Sequence, residues 1–358
     1  MIRSFRYLWF LFAFLLTLEL CLRVEAACQW GAPFWGPYSF ETLISNDTIE
    51  GGNRPNARFE KWVINSQGFQ GPELPVPKPK DIVRIGVAGA SEIFGLYESP
   101  GCDVTSQLRK LLERTAPGRF EVVNLSTPGM SIPRIVELYE RWIRKLDFDV
   151  ILYYPSPAMY LDVEAPGFRR SFPGKSERVS ATDSSGWNLR LPGKTWDMLR
   201  ERLPTRLQVD MKWYQIKRQR RKFPKEWVWE RGAPEERVTL FREHIMGLIN
   251  MLAKKNGTRL IISTHANRFQ DISTEEYGKH MVGWIRFYPR ASGESLLDME
   301  QKANESIRKL SVNRNIIVVD VEKSVGKDSK RYADFSHFTD SGAALAAEAM
   351  KESILSLY

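Results

Sequence analysis

The sequence predicts a three-layer α/β/α sandwich around a five-stranded parallel sheet. From residue 81 onward, short β-rich runs alternate with helix-length stretches, five strands in all, the pattern of a parallel sheet covered on both faces. The 358 residues are 43% apolar, enough to bury the core of one sizeable domain. Four parts follow: residues 1–30, an irregular lead-in over 31–80, the main domain over 81–358, and an insertion within it at about 163–233.

The N-terminal part comes first. Arg3 and Arg6 precede an apolar run from Tyr7 to Leu18; Glu19 and Arg23 then interrupt a continuing apolar stretch that ends in Val24-Glu25-Ala26-Ala27. Basic residues, an apolar segment and small residues describe a cleaved signal peptide or an uncleaved membrane anchor, and fit these better than the buried N-terminal helix of a soluble protein. The uninterrupted run is short of the ~20 residues a full span needs, but Glu19 and Arg23 stand at i,i+4 and can pair or snorkel. Either reading places the body outside the cytoplasm, anchored at the inner membrane or secreted to the periplasm. There Cys28 and Cys102 are candidates for a disulfide. Glu25 stands where a lipoprotein signal needs an aliphatic residue, which argues against lipidation of Cys28. With four histidines, three cysteines, no Cys-x-x-Cys and no His-x-x-x-His, no metal and no other cofactor is expected.

Residues 32–80 are rich in Gly, Pro and Asn and lack a long period. The regular pattern then begins with a strand over Ile82–Ala88, a helix over Thr105–Thr115 with Leu108, Leu111 and Leu112 on one stripe, and a strand over Phe120–Leu125. A helix over Pro133–Leu146 and a strand over Val150–Tyr154 follow. After the insertion come a helix (Glu236–Lys254), a strand (Arg259–Ser263), a helix (Ser295–Leu310), a strand (Asn315–Val321) and a closing helix (Ala343–Tyr358).

Chemistry in such sheets gathers on the loops after the strands. Those loops read Gly89-Ala90-Ser91-Glu92, then Asn124-Leu125-Ser126-Thr127-Pro128-Gly129, then Pro155-Ser156-Pro157, and finally a segment leading to Asp334 and His337. A serine between strand and helix stands exposed among backbone N–H groups, which suits a nucleophile whose intermediate carries an oxyanion. His337 has the side chain best matched to taking and returning the serine proton near neutrality, and Asp334, three residues before it, can fix its tautomer.

With these blocks in place, the chain resembles the SGNH (GDSL-type) hydrolase family, as an exported bacterial member. The resemblance covers roughly residues 64–162 and 236–356, and Ile64–Glu73 looks like the lead-in of bacterial members. It implies the flavodoxin-like SGNH hydrolase fold. Gly89-Ala90-Ser91 matches the family's Gly-Asp-Ser block, so Ser91 is the implied nucleophile; Gly129 matches the glycine that lends its N–H to the oxyanion hole, beside the N–H of Ser91. Asp334 and His337 match the Asp-x-x-His block, and Phe338, Thr339 and Gly342 fit as well. Ala90 replaces the block's aspartate and removes no catalytic group. At the third block the family carries an Asn whose amide helps hold the oxyanion, whereas this chain has Pro155-Ser156-Pro157-Ala158-Met159-Tyr160, leaving the Ser156 hydroxyl as the substitute donor.

The insertion carries 17 Lys and Arg against 8 Asp and Glu, so the whole +9 excess of the chain lies in it. It also holds five of the eleven tryptophans, Trp187, Trp196, Trp213, Trp227 and Trp229. Basic residues among aromatics suit an anionic membrane face or an acidic polysaccharide, and suit equally a solvated helical arm with its tryptophans packed inward. Export argues against nucleic acid as a partner.

His265 ends the fourth strand, with no acid at useful spacing beside it; it reads first as an ordinary hydrogen-bonded loop histidine, and otherwise as the competitor to His337 as base and a candidate substrate contact. Glu92, next to Ser91, is the other candidate substrate contact; its charge disfavours an oxyanion unless it points away. His244 and His280 read as surface or packing residues. The function expected is a serine ester hydrolase acting on O-acetyl or other O-acyl esters of a cell-surface or extracellular carbohydrate. The alternatives are an O-acyltransferase of the same fold, or a glycan-binding scaffold that lost turnover with the Asn.

Overall fold

A computed structural model of the chain describes residues 2–36, 38–44, 52–141, 143–162, 189–253, 257–269, 277–310 and 316–358. Five parallel strands form its centre: β1 (Val83–Gly89), β2 (Phe120–Asn124), β3 (Val150–Tyr154), β4 (Arg259–Ser263) and β5 (Ile316–Val319), in the order β2-β1-β3-β4-β5. This is the flavodoxin-like order, whose switch point lies between β1 and β3.

Alternation along each strand sends side chains to two separate cores. Val83, Ile85 and Val87 of β1, with Leu152 and Tyr154 of β3, meet α3 (Val104–Thr115) and the closing helix α11 (Asp340–Leu355) on one face. Ile151 and Tyr153 of β3, with Leu260 and Ile262 of β4, meet α4 (Ile132–Arg141), α7 (Glu235–Ala253) and α9 (Gly293–Lys309) on the other. Both faces of β1 and β3 are buried, hence their nearly continuous apolar runs. Arg84 is the exception, and its fully buried guanidinium is satisfied by Glu121 and by the Leu146 and Pro75 carbonyls. Gly86 has no room for a larger residue, because a Cβ there would collide with Leu125 and press on Phe148 and Ile151.

The lead-in is ordered by what it touches. Gln70 exchanges backbone hydrogen bonds with Asn124, extending the sheet edge beside β2. Trp62 stacks on Phe94 and donates its indole N–H to the Gly95 carbonyl, so this segment braces the turn that carries Ser91.

Helix α1 (Ile2–Trp30) is long and apolar enough over Tyr7–Trp30 to cross a membrane. The described part of the insertion forms α5 (Leu191–Arg202) and α6 (Thr205–Arg220), and the short helices α8 (Val282–Phe287) and α10 (Val321–Val325) precede and follow α9. Trp213 and Trp229 pack against the main core, and the Arg290 guanidinium lies over the rings of Phe223, Trp227 and Trp229. Two of the five insertion tryptophans, Trp213 and Trp229, thus pack on the domain, Trp227 stays 43% exposed under Arg290, and Trp187 and the Trp196 side chain lie outside the described residues. Cys28 and Cys102, candidates for a disulfide with free thiols as the other reading, are free thiols along with Cys21: Cys28 sits on α1 and Cys102 in the turn before α3.

Candidate active site

The strand registers bring the reactive loops to one edge. Gly89 is paired with Tyr154, so β1 and β3 end level, releasing Ser91 and Ser156 side by side. Ser91 opens the one-turn helix α2 (Ser91–Phe94), where the first N–H groups have no intrahelical partner and face outward. The loop after β2 is tied to α2 by the Asn124 amide, which donates to the Ile93 carbonyl at 2.8 Å. Within that loop Gly129 has φ +76°, a left-handed conformation that glycine adopts without strain.

The base arrives from the far end of the chain. Asp334 accepts hydrogen bonds from the backbone N–H of Ser336 (3.1 Å) and of His337 (3.0 Å), which folds the segment into a tight turn. The Ala333 N–H closes that turn on the His337 carbonyl, and Thr339 caps α11 immediately after it. His337 is thereby held with Nδ1 2.8 and 2.9 Å from the two Asp334 oxygens and Nε2 2.8 Å from Ser91 Oγ. The residues the sequence singled out as nucleophile, base and orienter therefore touch in the order acyl transfer requires.

Burial pushes His337 toward its neutral form, but the Asp334 charge and hydrogen bond, with Glu92 and Glu98 behind them, raise it above the ordinary histidine value. The same burial favours a neutral Asp334; the His337 charge and hydrogen bonds overcome it and hold the carboxyl low. Glu98, at the rim, is pushed up to about 7 by burial.

Behind Ser91 lies a second ionic cluster. Glu92 is buried beneath the site and accepts from His265 Nε2 (3.4 Å), Ser336 Oγ (3.2 Å) and Ser156 Oγ (3.1 Å), with its nearer oxygen 3.5 Å from Ser91 Oγ. His265, 1% exposed, has Nδ1 on Glu300 of α9, and its backbone N–H is received by Asn304. Burial alone would neutralise these groups; the mutual hydrogen bonds and charges win, so His265 is held protonated far above the usual histidine value and Glu92 ionised below the usual carboxylate range.

This geometry revises three expectations. His265 holds Glu92 and Glu300, whereas Ser91 is held by His337. Glu92 and His265, the candidate substrate contacts, are enclosed beneath Ser91 and His337, 6% and 1% exposed. A carboxylate only accepts, so the Ser156 hydroxyl gives its proton to Glu92 and does not offer it to an oxyanion. His265 does have acidic neighbours, but 35 and 173 residues away in sequence. One signal pointed to Glu300: with Asn304 it occupies the apolar stripe of α9 shared by Leu296, Met299, Ala303 and Ile307, where a polar residue needs a buried partner. His244 pairs with the Tyr160 hydroxyl at 2.9 Å, a packing role.

No family model and no curated protein matches the chain. Among solved structures it is similar to a putative GDSL-like lipase from Parabacteroides merdae (14% identity, TM-score 0.44, covering 79% of this chain and 98% of that one). It is also similar to a lipase from a goat rumen metagenome (10%, 0.43, 76% and 97%). A lipase/acylhydrolase from Enterococcus faecalis is a third (12%, 0.42, 77% and 97%).

Proposed function

We propose that the chain is a serine ester hydrolase working by two-step acyl transfer. One observation carries the reading: Ser91 Oγ, His337 Nε2 and Asp334 form a continuous hydrogen-bonded line at 2.8 to 2.9 Å. His337 removes the Ser91 proton as Oγ attacks an ester carbonyl, forming the Oγ–C bond and moving the carbonyl electron pair onto oxygen. Collapse expels the alcohol, which takes the proton from His337. Water, deprotonated by the same imidazole, then releases the acid and restores Ser91. The Ser91 and Gly129 N–H groups receive the oxyanion. Without the side-chain amide of the usual third donor, turnover is lower by about 10²–10³, or roughly 2.7–4 kcal/mol.

The substrate class that fits an exported body with a basic, aromatic insertion is an O-acyl ester on an extracytoplasmic carbohydrate. A sugar hydroxyl in place of water would make the same site an O-acyltransferase. A non-catalytic glycan-binding scaffold draws on one observation, the engagement of Ser156 by Glu92 between two prolines. Hydrolysis of an acetyl aryl ester and labelling of Ser91 by a fluorophosphonate are the tests. Turnover and labelling lost in Ser91→Ala and His337→Ala support the hydrolase; full activity in both variants refutes it, and an unlabelled, inactive wild type leaves the scaffold.

A further inference from the structure

We infer that α1 is a retained membrane anchor and that α1 and α5 together form a foot seated in the anionic surface of a lipid bilayer. The inference rests on the export reading of the N-terminus and is independent of catalysis.

From Tyr7 to Leu16 every large apolar side chain of α1 is exposed, between 43% and 74%. Nine large apolar side chains within ten consecutive exposed residues are far more than a water-facing surface carries. The charges that shorten the run in sequence are absent from this surface. Glu19 and Arg23 are 5% and 2% exposed and paired at 2.7 Å. Arg23 Nη1 donates to the Phe34 carbonyl, and the Glu19 carboxylate accepts the N–H groups of Arg190 (2.9 Å) and Leu191 (2.9 Å). On the opposite side Leu20, Cys21 and Val24 continue the exposed stripe. The outward face from Tyr7 to Val24 is therefore apolar apart from Thr17, whose hydroxyl is bonded to the Ala13 carbonyl, and at ~1.5 Å per residue it spans about 27 Å, close to the ~30 Å hydrocarbon core. Counted only to Leu18 the run would reach about 18 Å.

The same contacts bind α1 to the folded body. Glu19 fills the role an N-cap side chain plays for α5, Lys194 pairs with Glu25 at 2.8 Å, and Arg190 donates to the Pro33 carbonyl. Cleavage after Ala26-Ala27 would remove Glu19, Arg23 and Glu25, leaving the start of α5 without these acceptors. The occupant of the exposed surface follows from α5 itself. Leu189, Met198 and Leu199 are 58%, 51% and 61% exposed, and Lys194 and Arg202 lie exposed among them. Apolar side chains with interspersed cations at the foot of a spanning helix fit the interfacial zone of a bilayer with anionic headgroups.

The test uses the full chain carrying Cys21→Ser, Cys28→Ser and Cys102→Ser with Leu199→Cys, labelled with a polarity-sensitive probe in bilayers of zwitterionic and anionic phospholipid. Expected results are an intact mass retaining residues 1–30, recovery with membranes after a high-salt wash, and a blue-shifted probe quenched by lipid-borne but weakly by aqueous quenchers. A mature chain beginning near Cys28, or a probe at 199 as accessible to aqueous quenchers as one at Glu348→Cys, overturns the inference. A blue shift that vanishes on dilution of protein in lipid assigns the surface to a second copy and overturns it as well. Ester hydrolysis by the same preparation reports on the catalytic reading separately.

Discussion

Replacing Glu92 by glutamine should move the acid limb of the kcat/KM profile to lower pH. His337 must be neutral to accept the Ser91 proton, and it is faced by Asp334 from its own turn, by Glu92 from α2 and by Glu98 from the following loop. Glu92 lies 3.5 Å from Ser91 Oγ, itself 2.8 Å from Nε2, so its carboxylate is within about 6 Å of the imidazole. At an effective dielectric of about 20 to 40, a unit charge at ~6 Å is worth about 1.4 to 2.8 kcal/mol, or about one to two pKa units. The glutamine keeps the shape and one acceptor oxygen, enough for Ser156 or Ser336 but not both, while removing the charge, and the His265 cation then acts in the same direction. The assay is kcat/KM for an aryl acetate from pH 4.5 to 9, with circular dichroism confirming the fold. A limb that stays within 0.3 units of wild type, or that moves upward, refutes an electrostatic role for Glu92.

Asp334→Asn should leave the turn folded, since its Oδ1 still accepts the Ser336 and His337 N–H groups, while turnover drops by about 10³–10⁴ through loss of the tautomer-fixing charge. His265→Gln leaves Glu92 and Glu300 buried without their cation and should cost roughly 3–5 kcal/mol in urea unfolding; a cost under ~1 kcal/mol would mean the cluster is not ionic. Gly89→Ala sets a Cβ 2.7 Å from Ile93 Cγ1 and 3.0 Å from the Tyr154 carbonyl, forcing α2 and Ser91 to shift, and should lower kcat by about 10²-fold with KM little changed. Stability should peak between about pH 4.5 and 6.5. The raised His337 and His265 contribute fully below ~6.5 and lose that contribution as pH rises through their folded values; the depressed Asp334 and Glu92 contribute above ~4 and lose theirs as pH falls.

Much of the sheet could be read directly because both its faces are buried: Val150–Tyr154 and Arg259–Ser263 carry runs that only a fully covered strand needs. Ser91, Asp334 and His337 were legible because topology forces strand-end loops to one edge. Glu92–His265–Glu300 was not, since no local spacing connects a residue after β1, one after β4 and one on α9. Glu19 and Arg23 were read as a pair, yet their further partners lie 171 residues and 11 residues on. The lead-in has no period to read because its order comes from Asn124, Phe94 and Gly95, which it covers.

The sequence separation of 246 between Ser91 and His337 has a consequence for how the site assembles in a growing chain. Ser91, its turn and the Gly129 loop are all present once the first three strands exist, but Ser91 gains its imidazole partner only when residues 334–358 have folded against them. Asp334 and His337 are positioned only when α11 docks beside α3, a contact of very high sequence separation. On the proposed reading, ester hydrolysis needs the Asp334–His337 turn in place, and any product truncated before Asp334 would carry Ser91 without its hydrogen-bonded imidazole.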